Sequence, residues 1–394
     1  MRITDWNRTT SAVCLLLASF MVGGCPAPAG SPEAEQLSIP DEAPGCNESV
    51  LYERPSDPAQ VGPWDVGVQT VSIGRLTADI LYPATIGSSV GLPVAEVDIR
   101  YALPESQRHL VTDEARPDQS CESCAYDLPL DQAHGPYPLV LFVHGTASWR
   151  MQSLSLMEHW ASRGYVVAAA DHPGLFLADM LGSLCGEGNS GSQDLEADLN
   201  ALLDAFFQSD PALAFVSPWV DLDRIAVLGH SAGASAAAGA ASRQGVRVIG
   251  SLAGNRSVSD SGTVAASLFM GGMADSVVSF SQTEDAYESS QGAKQLLGIA
   301  DAGHLVFSDI CHITNDAEQN LIEIATEAGV CGTQFASFLF DCAEGALPVE
   351  SGKQLVRAAT TWVLEKELHC HAPVKDFGDF GDASDWIEVL ETSP

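Results

Sequence analysis

Residues Val227 to Ala237 read VLGHSAGASAA, and the fold turns on how that string is placed. It contains Gly229-His230-Ser231-Ala232-Gly233, one of two G-x-S-x-G patterns in the chain, the other being Gly87-Ser88-Ser89-Val90-Gly91. Such a pattern marks a nucleophile elbow only where a buried strand passes through a sharp turn straight into a helix. That turn lifts a serine hydroxyl above the sheet edge, and glycines flank it because side chains there would collide. Beyond Gly91 comes Leu92-Pro93-Val94, which opens no helix. Ser231 is approached by Arg224-Ile-Ala-Val-Leu228, which reads as a buried strand, and followed by ten residues of Ala, Gly and Ser, a helix able to lie close on a sheet. Ser231 is therefore the candidate nucleophile.

The surrounding sequence has the rhythm of an α/β protein. Pro138–Gly145 (PLVLFVHG) and Tyr165–Gly174 (YVVAAADHPG) are near-continuous apolar runs, with a helical stretch from about Met151 to Arg163 between them. Asp194–Asp210 places leucines at 195, 199, 202 and 203 and phenylalanines at 206 and 207, the spacing of an amphipathic helix. Strands are expected at 224–228, 246–252, 264–270 and 295–299, and helices at 232–243, 317–328 and 352–367. Val66–Leu81 alternates around Gly74-Arg75 as an antiparallel hairpin would. Residues 84–136 are irregular, with a strand expected around Val94–Tyr101. The fold class is α/β: a mainly parallel central sheet with helices on both faces.

A serine hydroxyl is a poor nucleophile without an imidazole to take its proton and a carboxylate to orient that imidazole. Asp275 follows the strand SLFMGG, and His304 follows the next strand on a loop introduced by Ala-Gly, giving the chain order Ser, Asp, His. His312 is the rival base, and Asp260, Glu284 and Asp285 are the rival acids. An oxyanion hole is expected from the backbone N–H of Ala232, at the start of the helix, and of Thr146, in the loop after His144-Gly145. Trp149, His172, Phe176 and His230 are candidate pocket residues, with loops 84–136 and 174–193 as its rim.

Arg2, Arg8 and the eleven-residue apolar run Ala12–Val22 form a signal peptide, since a bilayer span needs about 20 apolar residues. Its end, Val22-Gly-Gly-Cys25, is similar to a lipobox with Cys25 as the lipidated residue; Ala27-Pro-Ala29 is the alternative site, for free secretion. The expected organisation is a signal peptide at 1–24, a flexible linker at 25–61, a catalytic domain at 62–370 and a solvated acidic tail at 371–394. Of ten cysteines, removing Cys14 and Cys25 leaves eight, an even set that reads as disulfides in an exported chain. Cys121-Glu-Ser-Cys124 has no second CxxC to complete a zinc site. No metal or cofactor is expected. With 18 basic and 52 acidic residues the formal charge is -34, the wrong sign for nucleic acid. Contact with a membrane would come through a lipid on Cys25.

Several segments together resemble the α/β-hydrolases related to platelet-activating-factor acetylhydrolases and to the proteins called predicted dienelactone hydrolases. They are GPWDVGVQTV, LYPAT, GPYPLVLFVHGTAS, GYVVAAADHPG, GHSAG, GGMADSVV and AGHLVFSD, spread over about Gly62 to Leu364. The resemblance implies the α/β-hydrolase fold and a carboxylic ester hydrolase using Ser231, Asp275 and His304 on a neutral or lipid-like ester. True dienelactone hydrolases carry cysteine where this chain has Ser231, so their substrate is not implied. Polyester hydrolases are similar in arrangement. The competing expectations are a non-catalytic, surface-tethered binding protein on a hydrolase scaffold, and an acyltransferase or peptidase using the same three residues.

Overall fold

A computed structural model describes residues 54–187, 191–259, 262–342, 347–369 and 375–394. The signal peptide, Cys25, Cys46, Asp260 and Cys370 lie outside the described residues.

The apolar runs become the middle of one large sheet. Its strands are β1 (Asp65–Ile73), β2 (Leu76–Ala84), β5 (Cys124–Tyr126), β6 (Tyr137–Val143), β7 (Val166–Asp171), β8 (Val220–His230), β9 (Val246–Leu252), β10 (Ala266–Gly272), β11 (Lys294–Ile299) and β12 (Ile387–Ser393). Across the sheet the order is β12-β11-β10-β9-β8-β6-β7-β2-β1-β5. From β7 through β6, β8, β9 and β10 to β11 every pairing is parallel. The β1–β2 hairpin and its pairing with β7 are antiparallel, as is β12 on β11.

Period-two alternation divides the apolar strands between two cores. In β6, Val140 and Phe142 face the helices α1 (Leu154–Ser162) and α7 (Val349–Leu368). Leu139, Leu141 and Val143 face α3 (Leu195–Phe207), α4 (Ala232–Gly239) and α5 (Phe280–Ser289). Asp194 caps α3 by accepting from the Ala197 N–H, and Leu199, Leu202, Leu203 and Phe206 are its buried stripe. Trp160 of α1 is fully buried against the other face.

Several boundaries differ from expectation. The linker ends before Gly62: the fully buried Arg163 guanidinium donates to the carbonyls of Pro55 (2.8 Å), Asp57 (3.2 Å) and Gln60 (2.5 Å) and pairs with Glu365. A buried guanidinium needs acceptors, and this segment supplies them. Residues 375–394 are not a solvated tail either. Phe377 and Phe380 are buried, Phe377 meets Trp362 of α7, and Ile387–Ser393 adds an edge strand. Around Val94–Tyr101 only Glu96–Val97 (β3) is extended, paired with Gln119–Ser120 (β4), and a 3-10 turn follows at Ile99–Ala102. Residues 174–193 contain a helix, α2 (Leu177–Leu184), and the helix expected at 317–328 is shorter, α6 (Leu321–Glu327).

Candidate active site

Ser231 sits between β8 and α4 with φ 58° and ψ -120°, a conformation disfavoured for any side-chain-bearing residue. Its N–H donates to the Leu252 carbonyl at 2.9 Å, which ties the turn to the neighbouring strand. Close approach explains the flanking glycines. A Cβ on Gly229 would lie 2.2 Å from the Gly233 carbonyl oxygen, and one on Gly233 would lie 2.1 Å from that of Val143. The other G-x-S-x-G pattern falls in a surface turn, where Val90 is exposed.

Asp275 follows β10 and His304 follows β11, so the parallel sheet delivers both to the same edge as Ser231. His304 Nδ1 and Asp275 Oδ2 are 2.8 Å apart, and both residues are buried. The other carboxylate oxygen accepts from the N–H groups of Val277 and Val278, at 2.8 Å each. With Nδ1–H given to Asp275, the basic lone pair of His304 is on Nε2. Asp341, which no sequence pattern marks, accepts from Ser276 N–H and hydroxyl at 2.8 Å and from His304 N–H at 3.4 Å. It joins the two loops through their backbones. His312, beside the Cys311–Cys342 disulfide, lies at the surface, and desolvation together with Lys353 holds it below the usual histidine range.

Ser231, His304, Thr146, Trp149 and His230 border one cavity of about 390 Å³. The Gly145 Cβ position is 3.1 Å from Ser231 Cβ, so the loop carrying Thr146 lies directly against the serine. Among the described residues, no acceptor takes the backbone N–H of Thr146 or of Ala232, the first residue of α4. Two candidate pocket residues are not in the wall. His172 is buried behind the sheet edge with its ring against His144, and Phe176 stacks on Tyr101 at 5.8 Å.

Most of the rest of the wall is apolar. Leu103 and Val111 come from the irregular insertion, and Met180 and Leu184 come from α2. A stretch not expected at the site, from Leu305 to Phe340, supplies Ile324, Phe335 and Leu339. Cys185 at the end of α2 is bonded to Cys331 in this stretch. Arg100 also borders the cavity, but its guanidinium is engaged by Asp98 and Asp113. Cys121 and Cys124 form a third disulfide beside Glu158, whose carboxylate accepts from Glu122 and Ser123 N–H groups. Disulfides of this number belong to an extracellular or periplasmic setting.

The family model described as platelet-activating factor acetylhydrolase, isoform II, matches residues 114–174. No curated protein sequence matches the chain. Among solved structures, the ferulic acid esterase from Streptomyces cinnamoneus superposes with a TM-score of 0.54 at 18% identity, covering 84% of this chain and 97% of that one. The chain has the α/β-hydrolase fold. The family match covers β6, the loop of Thr146, α1 and β7, and stops before Ser231, Asp275 and His304.

Proposed function

We propose that the chain is a serine carboxylic ester hydrolase acting through an acyl-enzyme on neutral esters with an apolar acyl group. The observation that carries this is Ser231 at a strained strand-to-helix turn, on the same cavity as a histidine whose Nδ1 is bound to a buried, saturated carboxylate. The family match and the fold it shares with a ferulic acid esterase support the same reading.

In this reading Ser231 Oγ attacks the ester carbonyl carbon while His304 Nε2 takes its proton. The carbonyl oxygen becomes an oxyanion that accepts from Thr146 and Ala232 N–H. Collapse breaks the bond to the alkoxy oxygen, which leaves as alcohol with the proton from His304. A water then attacks the acyl-serine by the same route in reverse and releases the acid. Asp275 orients His304 and stabilises its cationic form. Among the described residues the mostly apolar wall offers no counter-charge beyond Arg100, which Asp98 and Asp113 engage, and this favours an uncharged acyl group; the cavity is at the small end of the usual range for ligand pockets. Export fits the disulfides, with lipidated Cys25 as the proposed anchor.

A series of p-nitrophenyl esters from acetate upward tests this. Wild-type protein is expected to hydrolyse uncharged acyl esters and to discriminate against succinyl analogues. Ser231→Ala should lower kcat by about 10³-fold or more. Full activity in that variant, or a wild-type protein inert towards every ester, would overturn the reading.

A further inference from the structure

Along the cavity wall a line of buried hydrogen bonds crosses from the loop of Thr146 to the backbone of His304. The Gly145 N–H donates to Gln152 Oε1 at 3.1 Å, and Gln152 Nε2 lies 3.1 Å from His230 Nδ1. His230 Nε2 lies 2.9 Å from the His304 carbonyl oxygen. Gln152 and His230 are both buried.

Each direction in the line is forced. A backbone N–H can only donate, so the Gln152 oxygen faces Gly145 and its NH₂ faces His230. His230 Nδ1 must then accept, which places the ring proton on Nε2, opposite a carbonyl that can only accept. A second proton on His230 would set N–H against NH₂. Burial, with the neighbouring His304 ring, lowers the His230 pKa to about 3, so the ring is uncharged at neutral pH. From the other side, the His144 Nδ1–H donates to the Gly145 carbonyl at 2.8 Å. Because that carbonyl and the Thr146 N–H belong to one trans peptide, fixing one end fixes the direction of the other.

We propose that Gln152 and His230 are positioning residues that hold the Gly145 backbone, one peptide before the Thr146 N–H, and the His304 segment in register, on either side of Ser231. The proposal rests on the ester hydrolase reading. Its prediction is that the two residues act as one unit: either break releases the Gly145 backbone that precedes the oxyanion peptide from the histidine loop, and the second break then has little left to release.

The test is a double-mutant cycle in the oxidised, full-length protein, using Gln152→Leu, His230→Phe and the pair, with kcat and KM measured separately and Tm as a control. Each single variant should lower kcat by about 10- to 100-fold with KM changed less than about 3-fold, and the double variant should stay within about 3-fold of the worse single. His230→Gln keeps a donor for the His304 carbonyl and should recover part of the loss. Losses that multiply, that fall on KM, or that are absent overturn the proposal. Nitrogen-15 NMR of histidine-labelled wild-type protein gives a reading independent of activity and of mutant folding: His230 should be the neutral Nε2–H tautomer at about pH 7, and an Nδ1–H tautomer or a cation contradicts the line. Failure of the hydrolase reading itself shows separately, as wild-type protein no more active than Ser231→Ala.

Discussion

Ser231 holds its backbone in a region that costs on the order of 1–3 kcal/mol for a residue with a side chain. The turn persists because the strand before it and the helix after it leave no other path. Three histidines near this scaffold are buried and neutral for reasons of their own. Burial brings His144, His159 and His230 to about 3, helped by His172, by Arg163 and by His304 respectively. All three are depressed below the unfolded value of about 6.5. Above that pH neither state binds the proton and their contribution is constant; below it the unfolded chain takes up protons that the folded one refuses, so stability falls. Urea unfolding at about pH 7.5 and about pH 5.5, above the range of ordinary carboxylates, should show a loss of about 1 kcal/mol for each of the three. A midpoint unchanged or rising on acidification would mean these rings charge without penalty. At this scale Asp275 and His304 could be read in advance because each follows an apolar strand on a short turn. Gln152 and Asp341 could not, because their partners, Gly145 and His230 for one and Ser276 and His304 for the other, are brought close only by the fold.

The elements divide by how strongly pattern marks them. The parallel strands and α3 have long apolar runs or a clean helical stripe, and they appear within a few residues of where the sequence puts them. α5 was not anticipated, because FSQTEDAYES buries little beyond Phe280, Thr283, Ala286 and Tyr287 and is held by a capping box from Ser279 and Gln282. Residues 174–193 are expected at the site as a loop and not as α2, and the stretch 305–340 is not expected there, for the opposite reason: their apolar residues face a cavity, so no periodic partner reveals them. The Cys185–Cys331 bond fastens these two parts of the wall to each other. Replacing both cysteines with serine should lower stability by about 2–4 kcal/mol. Hydrolysis of longer acyl esters should fall more than that of acetate, since acetate needs little of the wall. Equal losses across the chain-length series would show that the bond supports the domain and not the pocket.

For the molecule as a whole, chain order and sheet order together make the site. β8, β10 and β11 lie within four consecutive strands that run the same way, so Ser231, Asp275 and His304 emerge at one edge although far apart in sequence. The acidic end of the chain was misread because its aspartates hid the other half of the pattern: Phe377, Phe380 and Ile387 pack onto the core while the carboxylates point outward. An overall charge of -34 leaves the surface repelling anions around an apolar cavity, consistent with uncharged esters as substrates. The central claim is that one serine of this chain is activated for attack on a carbonyl. Mass-spectrometric mapping of the protein after treatment with a fluorophosphonate reads it directly: a single adduct on Ser231, absent in His304→Ala, is the predicted result. An adduct on another residue, or labelling of Ser231 that survives loss of His304 undiminished, would contradict it.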